Sequence, residues 1–285
     1  MQTRRKTAAA LGAGLFLLAP CLAEAQAQAQ APDPAAEAAA SAARARKAAL
    51  LPDWSGVWRA VQGPVFDAPP ARKGVPAATR DHPPFTAAYE ARYRANIARL
   101  RTDKEFDPLS LCLPVGLPRM MSFAGLYEFV VAPDQVWVIS ENAPSGPASS
   151  GAQVRRIYTD GRAHLTGDDL FPTYTGNSVG RWEGDILVVS TVGLNDANFV
   201  DHTGAQLSGE AMIVERIRAT GPDTLEDRFT ITDKKALTRP WAVTRTWRRA
   251  PPGVAIVDDS CRGKSVNPAA LTDRAAANAA RAKGQ

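Results

Sequence analysis

Three carboxylates occupy positions where acids are costly. Over residues 211–218 Glu215 alternates in step with Ile213 and Ile217, and over 224–232 Asp227 keeps step with Leu225, Phe229 and Ile231. Over 135–141 Glu141 shares its parity with Trp137 and Ile139. Carboxylates on apolar faces are seldom buried without a partner. Two arginines have matching parity: Arg156 between Val154 and Tyr158, and Arg245 between Val243 and Trp247. If these faces point inward, a carboxylate whose pKa is set by burial serves as general acid or base, while an arginine holds an anionic group. If they point outward, or if the charges only hold strands in register, the same residues are structural. A period of two does not say which face is inside.

A second cluster lies at 155–164. Asp160 and Gly161 make a turn that presents Arg162 and His164, so Asp160 and His164 are expected to form an oriented dyad. A histidine on an exposed turn is the alternative. The expected catalytic set is therefore His164, Glu215, Asp227 and Asp160, with Arg156, Tyr158, Glu141, Asn177 and Arg245 binding substrate. No glycine-rich loop opens a helix, there is no G-x-S-x-G elbow, and neither CxxC nor HExxH occurs. Nucleotide, serine-hydrolase and dedicated zinc chemistry are disfavoured, and no cofactor or metal is expected.

The elements that must position these groups are strands. Residues 176–193 read as a hairpin, with Glu183-Gly184-Asp185 at its turn and the apolar run 186–192 behind it. Further strands are expected at 127–131, 135–141, 153–159, 211–218, 224–232 and 242–248. Short turns and no crossover helices favour an antiparallel meander closing into a barrel over a parallel α/β sheet. Residues 86–101 are expected to form a helix capped by Thr86, packing Tyr89, Tyr93, Ile97 and Leu100 against the barrel. Residues 112–121 are too rich in proline for regular structure and read as a rigid loop over a barrel mouth.

The ends read differently. Basic residues 4–6, an apolar run at 8–22 and Ala23-Glu24-Ala25 have the order of a secretory signal peptide over 1–25. Residues 26–50 are an alanine-rich spacer, helical from 34 to 50, residues 51–265 the barrel domain, and 266–285 a tail. Loss of the leader takes three basic residues and one acidic residue away, lowering the net charge from +5 to +3. That balance gives no case for nucleic acid. The protein is expected to be periplasmic or secreted, without a membrane span. Cys112 and Cys261 then remain as an even pair, read as a disulfide; two separate buried thiols are the alternative.

Two resemblances bear on the whole chain. Gly56-Val57-Trp58 is similar to the G-x-W of the first strand in lipocalin and calycin barrels, where a late-strand arginine covers the tryptophan; Arg245 is the residue that this implies here. RRIYTDGRAH at 155–164, GRWEGDILVV at 180–189 and VERIR at 214–218 resemble a largely uncharacterised family of exported proteobacterial and acidobacterial proteins. The resemblance spans about Asp53 to Cys261 and implies a lipocalin-like β-barrel. The chain departs from that family at Asn177 and Leu207, where histidines are usual, so chemistry needing them is not implied. Exported relatives that act on small plant-derived aromatics suggest a substrate class. The leading expectation is a metal-independent enzyme that cleaves or isomerises a small, partly aromatic molecule by acid–base chemistry. The rivals are a lipocalin-like carrier of a small hydrophobic ligand and an envelope interaction module that could be a homo- or hetero-oligomer.

Overall fold

The computed structural model describes residues 33–61, 82–103, 106–111, 113–122, 125–141, 152–201 and 203–256. The expected signal peptide, the Cys112–Cys261 bridge and the tail lie outside them. Nine strands are hydrogen-bonded in sequence order into a closed barrel, the last pairing with the first. They are β1 (Gly56–Ala60), β2 (Leu126–Val131), β3 (Gln135–Glu141), β4 (Ala152–Tyr158), β5 (Asn177–Glu183), β6 (Ile186–Val192), β7 (Met212–Gly221), β8 (Thr224–Thr232) and β9 (Trp241–Arg249).

The central hairpin forms as its sequence demands. Glu183 pairs with Ile186, which leaves Gly184 and Asp185 as a two-residue turn, and Gly184 takes the positive φ of 63° that such a turn needs. Closure brings β1 against β9, with Trp58 opposite Arg249 and Ala60 opposite Trp247. The expectation of a wholly antiparallel meander is corrected at one place. β4 and β5 run parallel, joined only at Ile157–Ser178 and Tyr158–Val179. Residues 159–176 carry the chain back along the barrel, as a parallel pair requires.

Alternation sends Leu187, Ile213, Ile217, Leu225, Phe229, Ile231, Val243 and Trp247 into the core. Trp247 packs edge-on to Tyr127 and Phe129, with ring centroids 5.5 and 5.8 Å away. The proline-rich segment does more than cover a mouth: Val115, Leu117, Met120 and Met121 are part of the same core cluster. The barrel interior is thus filled by side chains.

The described residues also include two α-helices. α1 (Pro34–Ala49) starts where Asp33 Oδ1 accepts the Ala35 N–H, and none of its residues is buried. α2 (Ala87–Thr102) buries Tyr93 and Asn96, with Tyr89 and Ile97 partly covered, so the expected stripe is a packing face. Thr86 holds the N-cap position but makes no capping hydrogen bond; its hydroxyl donates to the Lys235 carbonyl instead. Trp58 is indeed the covered first-strand tryptophan. Its cover, however, is Arg249, whose guanidinium lies 4.3 Å from the ring and donates to the Ser55 and Asp53 carbonyls; Arg245 has another role. The architecture is a closed nine-stranded barrel whose first-strand tryptophan is covered by an arginine of the last strand.

Candidate functional site

The barrel interior contains a line of polar side chains that crosses six consecutive strands. Arg155 on β4 donates from Nε to Ser178 Oγ on β5 (3.2 Å) and from Nη2 to Thr191 Oγ1 on β6 (2.9 Å). Its guanidinium also grips the Glu215 carboxylate on β7 with both terminal nitrogens, Nη1 to Oε1 at 2.8 Å and Nη2 to Oε2. Ser178 and Thr191 hydroxyls are hydrogen-bonded to each other at 2.8 Å. All four residues are essentially without solvent exposure. Such a pair persists in a dry interior only because bidentate geometry and neutral hydroxyls complete its hydrogen bonds.

Asp227 on β8 stands beside this cluster, opposite Ile217 and diagonal to Glu215, as the alternation requires. It is wholly buried, and neither oxygen has a hydrogen-bond donor among the described residues. Burial raises its pKa well above the usual carboxylate range, and the neighbouring Glu215 charge raises it further, against the opposing pull of Arg155. Arg245, across the ladder from Asp227, donates to the carbonyls of Met121 and Ser122 and so ties the inserted proline-rich segment to β9. Burial lowers its pKa.

Three expectations are corrected here. Arg156 does not partner the buried acids, because β4 turns Arg155 and Ile157 inward and leaves Arg156 and Tyr158 on the outer face. Glu141 also belongs to an outer face, since Val136, Val138 and Ser140 are the buried residues of β3. Asp160 does not pair with His164. Its carboxylate takes Arg162, which keeps its pKa below the ordinary value, and Arg162 in turn lies 3.9 Å above the Tyr158 ring.

His164 is held elsewhere. Its Nδ1 lies 2.9 Å from Asn177 Oδ1 and its Nε2 3.0 Å from Ser190 Oγ, so it pins residues 159–166 to the outer face of β5 and β6. The Leu165 N–H donates to the same Asn177 oxygen at 3.2 Å. That carboxamide oxygen therefore faces the loop. Of the residues expected to act together, His164 touches Asn177 outside the barrel, and Asp227 lies diagonal to Glu215 inside it.

A cleft of about 480 Å³ opens on the outer face where β4 and β5 part. Its walls include Val154, Arg156 and Tyr158 from β4, Leu165 and Phe171 from the connecting loop, and Asn177 at the start of β5. Seven large hydrophobic residues are exposed among those described, and three of them are here: Val154 at 46%, Leu165 at 47% and Phe171 at 68%. Apolar exposure gathered at one place marks a contact site more often than scattered exposure does. Asp169 contributes a carboxylate to the lining, and Arg162 is neutralised by Asp160. Arg156 has no carboxylate partner among the described residues; its guanidinium lies 5.3 Å from the Trp137 ring. Sequence reasoning missed Arg155, which stands next to the residue chosen. It also missed Leu165 and Phe171, apolar residues in a loop with no period to mark them.

No family model matches the chain, and no curated protein matches it. Among solved structures the chain is similar to wild-type fluorescent protein UnaG, at 13% identity over 69% of this chain and 97% of that one, with a TM-score of 0.30. Among the described residues no helix is long and apolar enough to cross a membrane.

Proposed function

We propose that this is an exported small-molecule-binding protein whose ligand sits in the outer cleft between β4 and β5. The observation that carries this reading is the convergence of Val154, Leu165 and Phe171, all exposed, with the unpartnered cation Arg156 in one concavity. A few convergent polar groups in an apolar recess are the usual make-up of a small-molecule site. The leader-like order of residues 1–25 and the resemblance of the 155–164, 180–189 and 214–218 motifs to exported proteins support the location.

The acid–base enzyme has less support. Glu215 and Asp227, two of its four expected catalytic residues, both have 0% exposure. Glu215 is engaged by Arg155 on both oxygens, and Asp227 faces its carboxylate. A catalytic group has to reach the proton that it moves. Of the remaining candidates, Asp160 is paired with Arg162 and His164 has both ring nitrogens hydrogen-bonded.

Titration with 8-anilinonaphthalene-1-sulfonate, an apolar probe bearing one negative charge, tests the binding reading. Saturable fluorescence enhancement that Phe171→Ser weakens at least severalfold is the expected result. Enhancement that survives this substitution unchanged would place binding elsewhere and remove the reading. The enzyme reading would return if His164→Ala abolished turnover of a small aromatic substrate in a protein that remained folded.

A further inference from the structure

Resting on the cleft reading above, we infer that the cleft selects planar aromatic carboxylates over neutral molecules of the same shape, with Arg156 and the Asn177 amide as the anion-recognising pair. The Asn177 carboxamide is held in one orientation. Its side-chain oxygen accepts from the Leu165 N–H, a group that can only donate, and from His164. This settles which end of the carboxamide faces the loop. The NH₂ end is directed the other way, on a residue that lines the cleft, and has no hydrogen-bond acceptor among the described residues. His164 is thus a positioning residue: its hydrogen bonds to Asn177 and Ser190 fix the rotamer that presents those two donors.

Arg156 supplies the second part. It stands on the same lining, is exposed, lies 5.3 Å from the Trp137 ring and has no carboxylate partner among the described residues, so its forked donors are available to an acceptor. Arginine and amide NH₂ groups are all donors, and a guanidinium matches a carboxylate in plane and spacing. Leu165, Phe171 and Tyr158 line the same cleft and suit a flat apolar ring. Arg162 does not compete for the anion, because it is paired with Asp160 and stacked on Tyr158. Asp169, on the same lining, disfavours a dianion.

The experiment is calorimetric titration of the full chain with naphthalene-2-carboxylate and, separately, with naphthalene-2-carboxamide. The carboxylate is expected to bind at least roughly tenfold more tightly, the advantage of hydrogen bonds to a charged acceptor over a neutral one. Arg156→Met is expected to reduce that ratio to near one, and His164→Ala to reduce it severalfold through loss of the Asn177 orientation. A purely structural role for His164 would weaken both compounds together and leave the ratio intact. Equal binding of the two compounds by the wild-type chain, abolished by Phe171→Ser, would overturn the anion inference and leave the cleft reading standing. Failure of both compounds to bind would overturn both. A ratio that persists in Arg156→Met would also overturn the inference.

Discussion

At the scale of single residues, the buried charges make demands opposite to those of a reactive site. Glu215→Gln leaves the Arg155 guanidinium in a dry interior without its counter-charge, and breaking a buried pair in this way costs about 3–5 kcal/mol. Urea unfolding of that variant is therefore expected to show a large drop in midpoint, where a catalytic carboxylate would have left stability nearly unchanged. Asp227 behaves in the contrary sense. Its pKa is raised in the folded state, so the unfolded chain releases a proton that the native protein retains. The stabilisation is complete below the ordinary carboxylate pKa of about 4 and is lost progressively as pH rises toward the folded value. Asp227→Asn keeps the shape and a hydrogen-bond donor without the titration. It is expected to match or exceed the wild type at neutral pH, and to flatten the fall in stability above about pH 4. Melts of both proteins across pH 4–9 check this; an unchanged slope would mean that Asp227 is ionised in the fold.

At the scale of elements, the weak place in the barrel is the β4–β5 junction. Its backbone ladder has two residue pairs, whereas β8 and β9 share eight. Side chains make up the difference: Arg155 reaches over the junction to Ser178, Thr191 and Glu215. Close packing does the rest. A Cβ on Gly180 would come within 2.9 Å of the Ile157 methyl and 3.2 Å of a Leu187 methyl, both on buried, branched side chains with little room to yield. Gly180→Ala is expected to destabilise the protein by about 1–3 kcal/mol, in line with overpacking elsewhere. Amide exchange should accelerate first in β4 and β5 if the junction is where the variant opens. Uniform acceleration over all nine strands would argue against this element as the weak point. The same parting of strands leaves room for the outer cleft, so the cleft and the thin ladder have one cause.

At the scale of the whole molecule, two units are distinguished along the chain, residues 1–42 and 43–285, and the barrel lies in the second. α1 buries none of its residues, and its Lys47 makes only an exposed ion pair with Asp134. Exposed pairs of this kind contribute about 0–1 kcal/mol. A chain beginning at Leu50 is therefore expected to melt within a few degrees of the full-length protein. A much lower melting temperature would give the N-terminal segment a structural role that burial does not show.

How much of this could be read from the sequence depends on whether the signal was local. Alternating apolar residues and the Gly184-Asp185 turn placed the strands, because a period of two and a positive φ are properties of neighbours in the chain. The same alternation put Glu215 and Asp227 diagonal to each other on adjoining strands, which the ladder bears out. What it could not tell was which face of each strand the closed barrel turns inward. β3 and β4 carry apolar residues on both sides, and only closure selected Arg155 over Arg156 and left Glu141 outside. Likewise, residues 159–176 have no repeating pattern, so the parallel pairing that they impose, the partner of His164 and the cleft beneath Phe171 depend on contacts between distant segments. The sequence by itself determined the strands and the hairpin turn. The tertiary structure decided which charges are buried and where the outer cleft opens, because burial is a property of the closed surface and of no single strand.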